Sequence, residues 1–424
     1  MDLVVLALVG ALAAVLANKG IAIFNDGLRP IMPENLEGRM SRKELAATSF
    51  AMSFGLVVGF GIPVSLGASI ILIHSILLGT DIIGTATPEG NKGVVASAVI
   101  GALYGVGLYL GLEAVVNAFE KMPVNFLDDL GAVGAPVVVA FAAFPALAVG
   151  YQFGAKKGLF TLILSLLARQ IAVVVSPISI AEGAEININP EGAGLIVGMA
   201  ILLFFAIKEK PTEEESVDLA AIFSERVKRI KKNMPVLMVM GGLLSAATSY
   251  TLLAGDPISL NLMSEGQMTD AGLAALARSI GFIPLIASTA IATGVYGPAG
   301  MTFVFVVGIF VGNPLLAGIL GALVIAVEVL FLDKTAKFLD RFPGIRNSGD
   351  NIRSAMSKLL EVALLVGGMN AANAIAPGIG FFAVAGLFIL NDIAGKPVVR
   401  MAVGPIAAIG VGILANILSI VGLF

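Results

Sequence analysis

Long apolar runs recur along the chain, each closed by a short polar stretch or by glycine and proline. A helix needs about 20 mostly apolar residues to cross roughly 30 Å of hydrocarbon. On that rule the pattern predicts fourteen hydrophobic segments: 3–24, 45–63, 64–83, 94–118, 133–152, 158–177, 193–207, 234–254, 273–294, 298–312, 315–332, 359–377, 378–392 and 401–424. Residues 298–332 are divided at "VGNP" because an unbroken helix there would run about 50 Å at 1.5 Å per residue, too long to span. The expected fold is an all-α polytopic membrane protein with 10–14 true crossings, since 193–207, 298–312 and 378–392 are short.

Two segment junctions carry no polar loop: "GLVVGFGIPVSLG" (55–67) and "ATGVYGPAG" (292–300). Both contain Gly-x-x-x-Pro, as Gly59/Pro63 and Gly294/Pro298. Unwound backbone inside a membrane is tolerated where it lines a cavity or a binding site, so such interruptions point to broken or re-entrant helices around a ligand. A third break, "GGMNAANAIAPGIG" (367–380), offers Asn370 and Asn373.

Composition agrees with the pattern: 58% of residues are hydrophobic, 13% are charged, and the net charge of −3 implies no nucleic-acid partner. With no cysteine there are no disulfides, thiol nucleophiles or thiolate metal sites. The first residues, MDLVVLALVG, lack the basic start of a signal peptide and read as a retained span. Placing both termini outside puts all but Lys121, Arg169 and Arg278 of the 26 lysines and arginines on the cytoplasmic side, as the positive-inside rule asks. The basic stretch "KEKPTEEESVDLAAIFSERVKRIKKNMP" (208–235) places Leu219, Ile222, Phe223, Val227 and Ile230 at helical spacing, predicting an amphipathic interfacial linker. It divides the chain into an N-terminal membrane half (1–207), the cytoplasmic linker (208–233) and a C-terminal membrane half (234–424). Seven segments on each side is the parity of two inverted seven-segment halves.

Charge within spans is costly, about 2.5–3.5 kcal/mol on insertion scales, and marks partners or function. Arg169 lies deepest, and is read either as half of a structural ion pair or as the group that binds an anionic part of substrate. On the second reading Arg169→Ala abolishes binding. Ser288, Thr289, Thr293 and Tyr296, around the 292–300 break, supply hydroxyl and ring contacts, with Asn370 and Asn373 as further polar contacts. His74, the only histidine, Glu328 and Glu361 are candidates for coupling to an ion; the imidazole titrates near neutrality. Asp350, Ser354, Ser357 and Glu361 form one polar stripe that descends toward the bilayer. Arg29, Arg346, Asn347, Asp350, Asn351 and Arg353 read as a cytoplasmic latch, with the 350s docking on loop 24–44.

The stretches "NDGLRPIMP", "PLIASTAIATGVYGPAGMTFVF" and "RNSGDNIRSAMSKLLEVALLVG" resemble the YhfT family of bacterial inner-membrane proteins, nearly end to end. That resemblance implies a transporter with no assigned substrate.

The leading expectation is a secondary active transporter of a small polar, anionic or zwitterionic, metabolite across the inner membrane, elevator-like and working as a homodimer. The alternatives are a sugar permease component of a phosphotransferase-type system, fed by separate phosphate-carrying chains, and a non-catalytic membrane scaffold or channel. No phosphate-binding loop is present, so this chain does not itself drive transport with ATP. HExxH, an aspartate-rich metal box and a nucleophile–base pair are also missing, which argues against an enzyme. No cofactor is implied beyond a coupling ion, Na+ or H+, and the partners are a small substrate and the lipid bilayer.

Overall fold

The computed structural model describes residues 2–126, 129–130, 132–176, 178–181, 184–186, 190–209, 219–398 and 400–424. The chain is an α-helical membrane protein. Its N-terminal part contains α1 (Asp2–Asn18), α2 (Met32–Leu36), α3 (Arg42–Leu56), α4 (Ile62–Ala68), α5 (Ile73–Ala86), α6 (Gly90–Phe119), α7 (Gly134–Phe153), α8 (Ala155–Val175) and α9 (Pro190–Lys208). The linker helix α10 (Leu219–Lys232) follows. The C-terminal part contains α11 (Met234–Ser249), α12 (Pro257–Ser264), α13 (Met268–Thr293), α14 (Phe303–Phe310), α15 (Pro314–Arg341), α16 (Pro343–Ile375), α17 (Ile379–Ile393) and α18 (Arg400–Ile420).

Among the described residues six helices are long and apolar enough to cross a membrane, or seven if the bent pair Met268–Ile283 and Leu285–Ile291 counts as one span. The outer surface carries large apolar side chains: Leu103, Val174, Leu315 and Phe382 expose 67%, 74%, 76% and 76% of their area. Water would penalise such a belt and lipid does not.

Small residues let the helix backbones approach, as membrane packing favours. Gly10 of α1 lies against the backbone of Gly101 on α6, and Gly242 of α11 against that of Gly318 on α15, where an added Cβ would sit 2.8 Å from the Gly318 carbonyl oxygen. The two halves repeat this arrangement further. α1 packs on α6 and α5, and α11 packs on α15 and α14. α7, α8 and α9 pack on one another, as do α16, α17 and α18, and α7 lies along α16.

The helix breaks differ partly from expectation. The chain does not break at Gly59/Pro63: residues 57–61 form a π turn that carries α3 into α4, with Pro63 in the first turn of α4. The break falls later, at Ser69–Leu72, with Ser69 left-handed at φ 55°. At 292–300 the helix does end, Gly294 taking the left-handed position that closes α13 (φ 70°). The "VGNP" break separates α14 from α15, and 376–378 separates α16 from α17.

Two short parallel pairings tie these breaks together across the halves. β1 (Ile71–Leu72), just before α5, pairs with β4 (Leu253–Ala254), just after α11, in the register Ile71↔Leu253 and Leu72↔Ala254. Likewise Ala22, a few residues after α1, bridges Tyr296, in the segment between α13 and α14. Ile23 N donates to Tyr296 O at 2.9 Å, and Tyr296 N to Ile21 O at 3.0 Å. A separate hairpin joins β2 (Ile178–Ala181) to β3 (Ala184–Ile186) between α8 and α9. In the linker helix Val227 and Ile230 are buried; the side chains of Leu219, Ile222 and Phe223 lie outside the described residues. Arg229 donates to Gly20 O at 2.9 Å, clasping the end of α1.

Candidate functional site

Each crossing of extended backbone is surrounded by buried ionisable groups. At the Ala22–Tyr296 crossing, Tyr296 is fully buried and its hydroxyl donates to Glu328 Oε2 at 2.8 Å. Met301 N donates to the same oxygen at 2.9 Å, while Glu328 Oε1 has no partner among the described residues. Gly300, at φ 55°, leaves room for this carboxylate; a Cβ there would run into Glu328 Oε2. Arg29 is also fully buried. It donates from Nε to Ile23 O at 3.0 Å and from Nη1 to Thr289 Oγ1 at 2.6 Å, and it pairs with Asp26. Thr289 in turn donates to Leu285 O at 2.8 Å. Thr293 donates to Thr289 O at 2.6 Å and accepts from Val295 N at 3.1 Å. From α5, the Asp81 carboxylate accepts Phe24 N at 3.1 Å and Asn25 N at 2.8 Å, holding the chain where it leaves the crossing.

The β1–β4 crossing has its own set. His74, in the first turn of α5, meets the rings of Phe24 (5.1 Å) and Phe60 (5.0 Å) edge-on, and its Nδ1 is buried without a partner. Asp256 caps α12, accepting Ser259 N at 2.8 Å and Ser259 Oγ at 2.7 Å. Arg278, on α13, is 4% exposed and lies over the Phe282 ring at 4.5 Å. Its charge acts on both His74 and Asp256. Phe24 links the two crossings, since it follows the Ala22 bridge and touches His74.

Of the residues expected from the sequence, Arg29, Thr289, Thr293, Tyr296, Glu328 and His74 come together here. The Ser288 side chain lies outside the described residues. Arg169 stands apart on α8, which packs on α7 and α9, and its guanidinium is engaged by Glu191 Oε1 at 2.8 Å from Nη2 and 3.2 Å from Nε. The ion pair that the sequence offered as one reading of Arg169 is present. Glu361 also lies elsewhere, pairing with Arg400 at 2.7 Å and Lys358 at 3.4 Å, and Arg400 reaches Asp392 at 3.1 Å; this network ties α16, α17 and α18. Asn370 and Asn373 are exposed, and Asn373 Oδ1 accepts Gly378 N at 2.9 Å across the α16–α17 break.

The latch residues separate too. Arg29 is spent inside the crossing. The start of α16 docks on the ends of α7 and α9: Ser348 donates to Gln152 Oε1 at 2.9 Å, and Gln152 donates to Gly344 O and Glu209 Oε2, each at 2.7 Å. This follows from the long packing of α16 along α7, which carries its first turns away from loop 24–44. Asp350 is exposed, Asn351 donates to Asn347 O at 2.9 Å, and the side chains of Arg346 and Arg353 lie outside the described residues. Asp81, Asp256 and Arg278 had no assigned role in the sequence. Asp81 sits at the end of an apolar run and Asp256 among outer-loop acids, so only their burial reveals them.

The fold and this site define an α-helical membrane protein with two backbone crossings lined by buried charge. The chain belongs to the YhfT family, described as proteins of unknown function, whose profile matches residues 2–424. It is 37% identical over 439 residues to "Uncharacterized protein YhfT" of Escherichia coli (strain K12), covering 100% of this chain and 98% of the relative. No solved structure matches it significantly.

Proposed function

We propose that the chain is a secondary active transporter of a small polar, anionic or zwitterionic, metabolite across the bacterial inner membrane. The observation that carries this reading is the pair of crossings, where unwound backbone and short helices meet buried Arg, Asp and Glu and the buried Nδ1 of His74. Interrupted helices at matching places in two halves are the sequence and structural mark of a transporter's binding region. The matched packing of α1 with α6 and α11 with α15, and of the trios α7–α9 and α16–α18, supports two inverted seven-segment halves. Both termini then lie outside, the halves rock or slide against each other in an elevator-like step, and a second copy supplies the scaffold. Glu328, with one oxygen bound twice and the other unengaged, is the carboxylate that takes the coupling H+ or Na+.

The test is reconstitution in liposomes with an imposed proton or sodium gradient and labelled organic acids, amino acids and neutral sugars. Accumulation of a charged metabolite that needs the gradient, and is lost in Glu328→Gln, is the expected result. If no charged metabolite accumulates under either gradient, the reading fails.

A further inference from the structure

Arg278 is the most exceptional side chain in the molecule. It is 4% exposed, its Nε is buried without a partner, and it forms no hydrogen bond or ion pair with any described residue. A buried guanidinium brings five donors and a full charge, and leaving it unpaired away from water is strongly unfavourable. The other buried arginine among the described residues, Arg29, is engaged by partners that include Ile23 O, Thr289 Oγ1, Phe24 O and Asp26. Phe282 under the guanidinium satisfies its face but none of its N–H groups. Within electrostatic range of it, His74 presents a second buried nitrogen without a partner, Nδ1. Asp256, the nearby acid, is already committed to the cap of α12 through both oxygens.

We infer that Arg278 and His74, at the β1–β4 crossing, form the binding site for a carboxylate group of a small organic acid. The guanidinium offers parallel N–H groups in a planar fork that matches a carboxylate's two oxygens. The first amides of α5, which no earlier turn can accept, start beside His74 and add positive potential. The charge balance selects the class. With one arginine and one neighbouring aspartate, a carboxylate leaves a single excess negative charge at the site, whereas a phosphate monoester, near −2 at neutral pH, would leave about two, so the singly charged group is favoured. The site lies between an element of the N-terminal half (α5) and one of the C-terminal half (α13), so a carboxylate held there would feel any relative movement of the two.

The inference gains its biological sense from the transport reading, but its test reads binding directly. With one histidine in the chain, 15N-histidine labelling gives a single imidazole reporter at the site itself. Acetate, lactate, succinate and glutamate are titrated at constant ionic strength, with methyl phosphate and glucose as comparisons. At least one carboxylate is expected to shift the His74 signal saturably. Arg278→Gln weakens that binding at least tenfold, and Arg278→Lys, which keeps the charge and loses the fork, falls between. The apo melting temperature of Arg278→Gln stays at or above the parent value, because an unpaired buried charge is removed and only the stacking on Phe282 is given up; this separates a site defect from misfolding. A carboxylate response unchanged in both variants, no response to any carboxylate, or tighter binding of methyl phosphate would overturn the inference. Uptake of the same acids is measured in parallel. Gradient-driven uptake that survives Arg278→Gln removes the site and leaves the transporter. Binding that depends on Arg278 without uptake retains the site and removes the transporter.

Discussion

Removing the Tyr296 hydroxyl tests whether the Ala22–Tyr296 crossing is held by its buried acid. In Tyr296→Phe the ring still fills its place, and Glu328 Oε2 keeps only Met301 N, while Oε1 has no partner already. Hydrogen bonds to charged groups contribute about 1.5–3 kcal/mol in soluble proteins. Interhelical hydrogen bonds in membranes average nearer ~0.6 and reach ~1.7 kcal/mol, because the unfolded chain in lipid also finds partners. The second range governs here, and its upper part applies, since the acid is 7% exposed and has no other side-chain donor among the described residues. The coupling energy between Tyr296→Phe and Glu328→Gln is therefore expected at about 1–1.7 kcal/mol, measured by reversible unfolding in mixed micelles of the parent, both single variants and the double variant. A coupling below ~0.3 kcal/mol, or a Tyr296→Phe variant more stable than the parent, would refute the reasoning.

Three other perturbations follow from the same geometry. Gly300→Ala forces a side chain into a left-handed position and onto Glu328 Oε2, so a loss of about 1–3 kcal/mol in unfolding is expected; no loss would mean that the carboxylate is free to move away. Arg169→Ala should lower stability by only about 0.2–1 kcal/mol, as for a partly exposed pair, and leave ligand affinity intact; a tenfold weaker ligand in a titration would restore Arg169 to the binding site. Because the chain has no cysteine, single cysteines placed at Glu37 and Glu265 can be labelled from one side at a time in intact cells. Glu37→Cys is expected to react only from the cytoplasm and Glu265→Cys only from outside, and the reverse would invert the assigned orientation.

The sequence alone determined the class of the molecule and part of its plan. Backbone in lipid must satisfy its own hydrogen bonds, so long apolar runs can only be helices, and hydropathy reads them directly. Breaks punctuated by glycine and proline, at 292–300, "VGNP" and 376–378, were legible for a local reason: Gly294 and Gly378 adopt positive φ and proline cannot continue a helix. The break at 69–72 was not legible, nor was the end of α11 at Ser249, ahead of the end of the apolar run at 254. "SIIL" and "YTLLAGD" are as apolar as the helices around them, and their backbone is satisfied across the halves, as in Ile71 N to Leu252 O at 3.0 Å. Pro63 misled for the complementary reason, since a π turn and a helix start absorb it. Charges were visible in the sequence, but their partners were decided by packing. Glu191 answers Arg169, Arg400 answers Glu361, and Tyr296 answers Glu328, while Arg278 is left open. Local pattern thus chose which residues enter the membrane. Which of them meet was settled only by tertiary structure, because pairings between distant segments depend on helix approach that no short window of sequence contains.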